Sequence, residues 1–94
     1  MNEKQIHGAA HDIQRRVIQA IDDLITSRRM KSLSAWCAAH DLNRVKYSNL
    51  RSAYKTGESS TGYKLIDIDV LAYLVNDFGV NADWLITGEG SEFK

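Results

Sequence analysis

Between Asn43 and Gly57 the chain reads NRVKYSNLRSAYKTG. An arginine can bond both acceptors on the major-groove edge of guanine, and an asparagine can bond adenine in the same two-point way. An aliphatic side chain such as Val45 can meet the methyl group of thymine. Lysine and serine side chains bind phosphate oxygens. On one helix, Arg44, Val45, Lys46, Ser48 and Asn49 fall within the first two turns, with Ser52 and Lys55 a turn or two further on. The same residue types also make an ordinary solvated helix face, so the surrounding elements must decide between the two.

Other chemistry is thinly represented. His7 and His11 are four residues apart, a spacing at which two imidazoles on a helix share a metal, but no third ligand stands nearby. Cys37 and His40 have the spacing of a nucleophile and its base. A lone cysteine beside Trp36, Ala38 and Ala39 reads instead as a small core residue. Trp36 and Trp84 read as core anchors. The run Gly88-Glu89-Gly90 follows a helical pattern rather than opening one, so it is no phosphate loop. Asp67, Asp69 and Asp77 lack calcium-loop spacing. The expectation is a protein with no enzymatic activity, no cofactor and no metal, and without an evident small-molecule substrate.

The chain has 94 residues, enough for one domain with one core. No apolar run reaches the roughly 20 residues that span a bilayer, and the first residues lack the basic-then-apolar plan of a signal peptide. A single cysteine fits a reducing cytoplasm. The chain has no proline, and its net charge of zero hides an uneven distribution. Residues 1–55 hold ten Lys and Arg against five acids, whereas residues 56–94 hold two against seven. A basic first half suits a polyanionic partner, and the acidic second half suits packing or subunit contact.

Apolar spacing predicts five short helices, an all-α chain. Ile13, Val17, Ile18, Ile21, Leu24 and Ile25 recur at three and four, giving a helix over 12–29 capped by Asp12, with Arg28, Arg29 and Lys31 at its end. Ser32 caps a second helix with Leu33, Trp36 and Cys37 inward, ending near Asp41, a residue that tolerates the left-handed conformation of a tight turn. Asn43 caps a third, over 44–56, with a Leu42–Tyr47 staple. Its apolar side is Val45, Tyr47, Leu50 and Tyr54; Arg44, Lys46, Ser48, Asn49, Arg51, Ser52 and Lys55 remain outside; Gly57 ends it. Residues 58–62 have loop chemistry, and 63–66 read as a short extended piece. Asp67 is expected to cap a fourth helix with Ile68, Leu71, Leu74, Val75 and Phe78 inward, ending at Gly79. Asn81 caps a fifth through Trp84, Leu85 and Ile86, ending at Gly88. Residues 1–11 and 91–94 are expected as tails around a domain over 12–90.

Two helices joined by a short turn, the second opening with small and basic residues, form a helix-turn-helix candidate. Its first helix would cross the sugar–phosphate backbone and its second would enter the major groove. With the fourth and fifth helices added, residues 17–90 resemble the lambda-repressor-like, or XRE, helix-turn-helix family, closest to phage repressor N-terminal DNA-binding domains. The run DFGVNADWLITGEG at 77–90 carries most of the likeness, with IDIDVLAYLVNDFGV matching the fourth helix and Leu42 and Asn43 matching the turn. The resemblance implies a compact five-helix domain in which Arg44, Val45, Lys46, Ser48, Asn49 and Ser52 contact bases. Ser32 and Ser34 match positions that touch phosphate, and Lys55 lies where backbone contact is expected. Asp41 replaces a turn glycine common in the family, Arg51 stands where many members have glutamate, and the link between the third and fourth helices is longer than usual.

The expectation is a sequence-specific regulator of transcription, a repressor of phage or mobile-element type. It would bind double-stranded DNA as a homodimer through paired half-sites, with helix 82–87 as the place of subunit contact. Phosphate contacts would come from Arg28, Arg29, Lys31 or Lys55. The alternative is an antitoxin-like or antirepressor-like protein-interaction module that keeps the fold without reading DNA.

Overall fold

The computed structural model describes residues 8–57 and 66–94. Five helices follow in order: α1 (Gly8–Thr26), α2 (Leu33–Ala39), α3 (Arg44–Thr56), α4 (Asp69–Phe78) and α5 (Ala82–Thr87). Among the described residues the regular elements are all helical, as the periodicity predicts. Val17, Ile18, Ala20, Ile21 and Leu24 of α1 are buried along one stripe, and α3, α4 and α5 pack against it, while α2 packs on α3. Tyr47, Leu50, Val70, Leu74, Val80, Trp84 and Leu85 complete the core with Trp36 and Cys37. Among the described residues no helix is long and apolar enough to cross a membrane.

Capping explains most boundaries. The Ser32 hydroxyl accepts from the Ala35 amide, the Asn43 side chain from the Lys46 amide and the Asn81 side chain from the Asp83 amide. Each satisfies an amide that the first helical turn leaves without a backbone acceptor. Gly57, Gly79 and Gly88 close α3, α4 and α5 in left-handed conformation, with φ of 79°, 71° and 81°.

Four expectations need correction. First, α1 begins at Gly8, so Asp12 lies inside the helix; Ala9 and Ala10 favour helix and nothing before Asp12 breaks it. It ends at Thr26, and Arg28 turns the chain with φ 67°, leaving Arg28, Arg29 and Lys31 beyond the last turn. Second, Asp67 does not cap α4: Ile68 holds the cap position with no side-chain bond to the helix. The Asp67 carboxylate is engaged by Tyr47 and Lys46 instead. Third, Ile68 is 80% exposed rather than inward, and Ile86 is 52% exposed. Val70 and Leu74, a turn apart, fill the core from α4, and Trp84 and Leu85 fill it from α5. Fourth, residues 91–94 dock on the domain. Val80 and Phe93 form an antiparallel bridge, the Asn81 amide donates to Glu92 O at 2.8 Å, and the Lys94 amide to Gly79 O at 3.1 Å. Phe93 packs against the core beneath the Arg29 guanidinium, 4.8 Å from the ring centre. The loop expected at 58–62 and residues 63–65 of the expected extended piece lie outside the described residues.

Candidate nucleic-acid interface

The turn between α2 and α3 sets the direction of α3. Leu42 N–H donates to Cys37 O at 2.8 Å and Asp41 N–H to Ala38 O at 3.3 Å, with Asp41 left-handed at φ 57°. That pairing is a Schellman closure, in which the residue after the helix end takes the conformation usually given to glycine. Aspartate is among the few side chains that tolerate it. Asn43 then caps α3, and burial of Tyr47, Leu50 and Ala53 fixes which side of α3 meets the core.

Rotation about the helix follows at once. Successive residues advance by about 100°, so Tyr47, Leu50 and Ala53 define a core side spanning roughly 120°. Arg44, Val45, Asn49, Ser52 and Lys55 are exposed on the other side, with Ser48 half-buried between them. Val45, expected partly on the apolar side, is 53% exposed. Arg44, Ser48, Asn49, Ser52 and Lys55 make no side-chain hydrogen bond or ion pair among the described residues.

Lys46 does not share that face. It sits about 160° from Ser48 around the axis, and its ammonium lies 3.3 Å from Asp67 Oδ2 and 5.3 Å from the centre of the Tyr47 ring. Arg51, expected outside, donates from Nε to Asp22 Oδ1 of α1 at 2.7 Å. The Tyr47 hydroxyl is held well above the ordinary phenol range, chiefly by burial. Asp67 is held below the usual carboxylate range, first by the Tyr47 hydroxyl and then by Lys46.

Ser32 and Ser34 stand at the start of α2, with Ser34 exposed and Ser32 half-buried as the cap. Of the cations expected on phosphate, Arg29 is committed elsewhere, donating to Phe78 O at 2.7 Å. Arg28, Lys31 and Lys55 are exposed. Arg16 donates to Leu85 O and Ile86 O, each at 3.0 Å, and so closes the end of α5. The His40 ring is engaged by Asp77 and Tyr73. Its Nε2 lies 2.6 Å from Asp77 Oδ2, which also accepts from the Trp36 indole at 3.0 Å, and its ring stacks on Tyr73 at 3.9 Å. Asp77 is lowered by the His40 and Trp36 bonds. Cys37 is fully buried, and burial pushes its thiol up against a smaller opposing pull from Arg44. His7 lies outside the described residues, and His11 is 3.8 Å from Asp12. Among the described residues no group of three or more His, Cys, Asp or Glu could hold a metal ion.

Two features escape sequence reasoning. An apolar groove of about 240 Å³ runs between α4 and α5, lined by Leu71, Ala72, Val75, Ala82, Leu85 and Ile86. Its only sequence signal is that Ile86 follows Trp84 and Leu85 directly, so the three cannot all point into the core. The other is Glu92, raised to about 7 by burial and by Asp23 beside it. Nothing in the local sequence ties residue 92 to α1.

Comparison with protein-family models, with curated proteins and with solved structures returns no match for this chain.

Proposed function

We propose that this protein is a sequence-specific DNA-binding regulator of transcription, a lambda-repressor-like helix-turn-helix protein of phage or mobile-element repressor type. In this reading α3 lies in the major groove, α2 crosses the backbone with Ser32 and Ser34 towards phosphate, and repression follows from occupying an operator. One observation carries it. Arg16, Arg29, Lys46 and Arg51 are spent on internal bonds, whereas the outer face of α3 keeps Arg44, Ser48, Asn49, Ser52 and Lys55 free of side-chain partners among the described residues. An asparagine and an exposed valine on one helical face match groups that the major groove displays, and the cations beside them suit phosphate.

A single short recognition helix gives limited discrimination, so the binding form is a homodimer on two half-sites about one helical turn apart. Its contact surface is the α4–α5 groove with the exposed Ile86, where Asp69, Asp83 and Glu89 would repel phosphate. A protein-interaction module is the second reading, favoured by that same groove and by the acidic Asp41 in the turn. Selection of duplexes from a random pool separates them. Enrichment of one motif, repeated about one turn apart, supports the regulator; a pool that never converges removes it and leaves the groove as the functional surface.

A further inference from the structure

We infer that Val45 and Asn49 are the specificity-determining pair of α3 and read an A·T-containing step, while Arg44 and Lys55 grip the phosphate backbone, an inference resting on the DNA-binding proposal above. Val45 and Asn49 are one turn apart on the same stripe, separated by about 40° around the axis and about 6 Å along it. Both are exposed, Val45 at 53%. Base pairs stack about 3.4 Å apart, so two side chains at this separation meet base pairs one or two steps apart. The asparagine amide matches the N6 and N7 groups of adenine. Valine offers only apolar contact, and the thymine methyl is the apolar group that the major groove displays. Neither side chain has a charge to give to phosphate.

Arg44 and Lys55 occupy the other edge of the exposed arc. Eleven residues apart in sequence, they differ by only about 20° in rotation and lie about 16 Å apart along the axis. Two cations without an ion pair among the described residues, on one edge at that distance, run beside a phosphate strand. Ser48 and Ser52 lie between the two edges, and their small side chains let the helix sit close to the groove floor. Side-chain type alone gives Arg44 a guanine; its place on the edge with Lys55 gives it a phosphate. Lys46, held by Asp67 at 3.3 Å, serves neither role.

The test uses the full chain and a duplex from the selection, changed one base at a time. Deoxyuridine in place of thymidine removes the methyl group alone, and 7-deazaadenine removes the adenine N7 alone. At one position deoxyuridine should weaken wild-type binding roughly fourfold, the worth of one buried methyl, with no effect on Val45→Ala. At a position one or two steps away 7-deazaadenine should weaken wild type about tenfold and leave Asn49→Ala unchanged. Arg44→Ala and Lys55→Ala should weaken selected and scrambled duplexes alike, each lowering the salt slope by about one. Circular dichroism establishes that each variant is folded. The base assignment is overturned if wild type and Val45→Ala respond equally at every position, or if Arg44→Ala relaxes the choice at a G·C pair. In both cases DNA reading itself stands. A wild type that prefers no sequence overturns both.

Discussion

The Tyr47 hydroxyl donates to Asp67 Oδ2 at 2.7 Å and accepts from the Asp67 amide at 2.8 Å, so one buried phenol satisfies both a carboxylate and a backbone N–H. It ties the core side of α3 to the residue that leads into α4. Nearby, the Gln14 side chain accepts from the Ile66 amide at 3.1 Å, and these bonds together anchor the chain leading into α4. Tyr47→Phe keeps the ring and removes the hydroxyl, leaving the Asp67 N–H without its acceptor. The expected loss is about 1–2 kcal/mol of folding stability, read by urea denaturation. Asp67 is depressed in the folded chain, so its contribution is present above the unfolded carboxyl value of 3.8 and fades as pH falls through the folded value. The difference between wild type and Tyr47→Phe should therefore narrow below pH 4.

Asp41 holds a left-handed conformation, φ 57°, in the turn that leads into α3. Asp41→Gly relieves that strain and should raise stability by about 0.5–1 kcal/mol, less than the full left-handed penalty because glycine loses more freedom on folding. It also removes a negative charge from the α2–α3 turn. Affinity for duplex DNA should rise several-fold at low salt and less at high salt. Unchanged DNA affinity in a stabilised variant would place the turn away from phosphate.

Glu92 gives the opposite pH dependence. Its folded value, about 7, stands above the ordinary 4.5, first through burial and then through Asp23. Oε2 is buried without a hydrogen-bond partner among the described residues. Between those two values the folded chain holds a proton that the unfolded chain has released. Its stabilisation is complete below pH 4.5 and is lost as pH rises towards 7. Glu92→Gln removes the ionisation, so it should stabilise the protein by about 1 kcal/mol at pH 8, discounted for partial solvent screening, and by little at pH 4.5. Denaturation curves at the two pH values check this.

Ile86 is 52% exposed at the α4–α5 groove. Ile86→Asp should shift sedimentation towards monomer. Binding to a duplex with two half-sites should fall at least about tenfold, while binding to a single half-site barely changes. Equal losses on both duplexes would detach the groove from dimer formation.

The local chemistry of most helix ends is legible: Ser32, Asn43 and Asn81 cap, Gly57, Gly79 and Gly88 close, and Asp41 takes the left-handed turn, while the expected caps Asp12 and Asp67 do not serve. These devices act over two to five residues, so the sequence displays them directly. Bonds across the fold were not legible. Lys46 looked like an outward cation because nothing within four residues marks Asp67, twenty-one positions on, as its partner. Arg51 reads as a surface cation for the same reason, yet its Nε lies 2.7 Å from Asp22 Oδ1. The docking of Phe93 and Glu92 depends on Gly79, Asn81, Arg29 and α1 together, which no single window contains. Within α3 the exposed positions of Arg44, Asn49, Ser52 and Lys55 are legible from helical spacing, whereas Lys46 and Arg51 turn to internal partners and Val45 turns outward.

Fluorescence anisotropy with the selected duplex and a scrambled duplex, for wild type and Asn49→Ala at physiological salt, tests the central claim most directly. If α3 reads bases, wild type should prefer the selected duplex by about 10³-fold, the low end for specific over non-specific binding. Asn49→Ala should reduce that preference about tenfold while leaving binding to the scrambled duplex unchanged. A wild-type preference near unity, or one that Asn49→Ala leaves intact, would contradict the claim and return the outer face of α3 to an ordinary solvated surface.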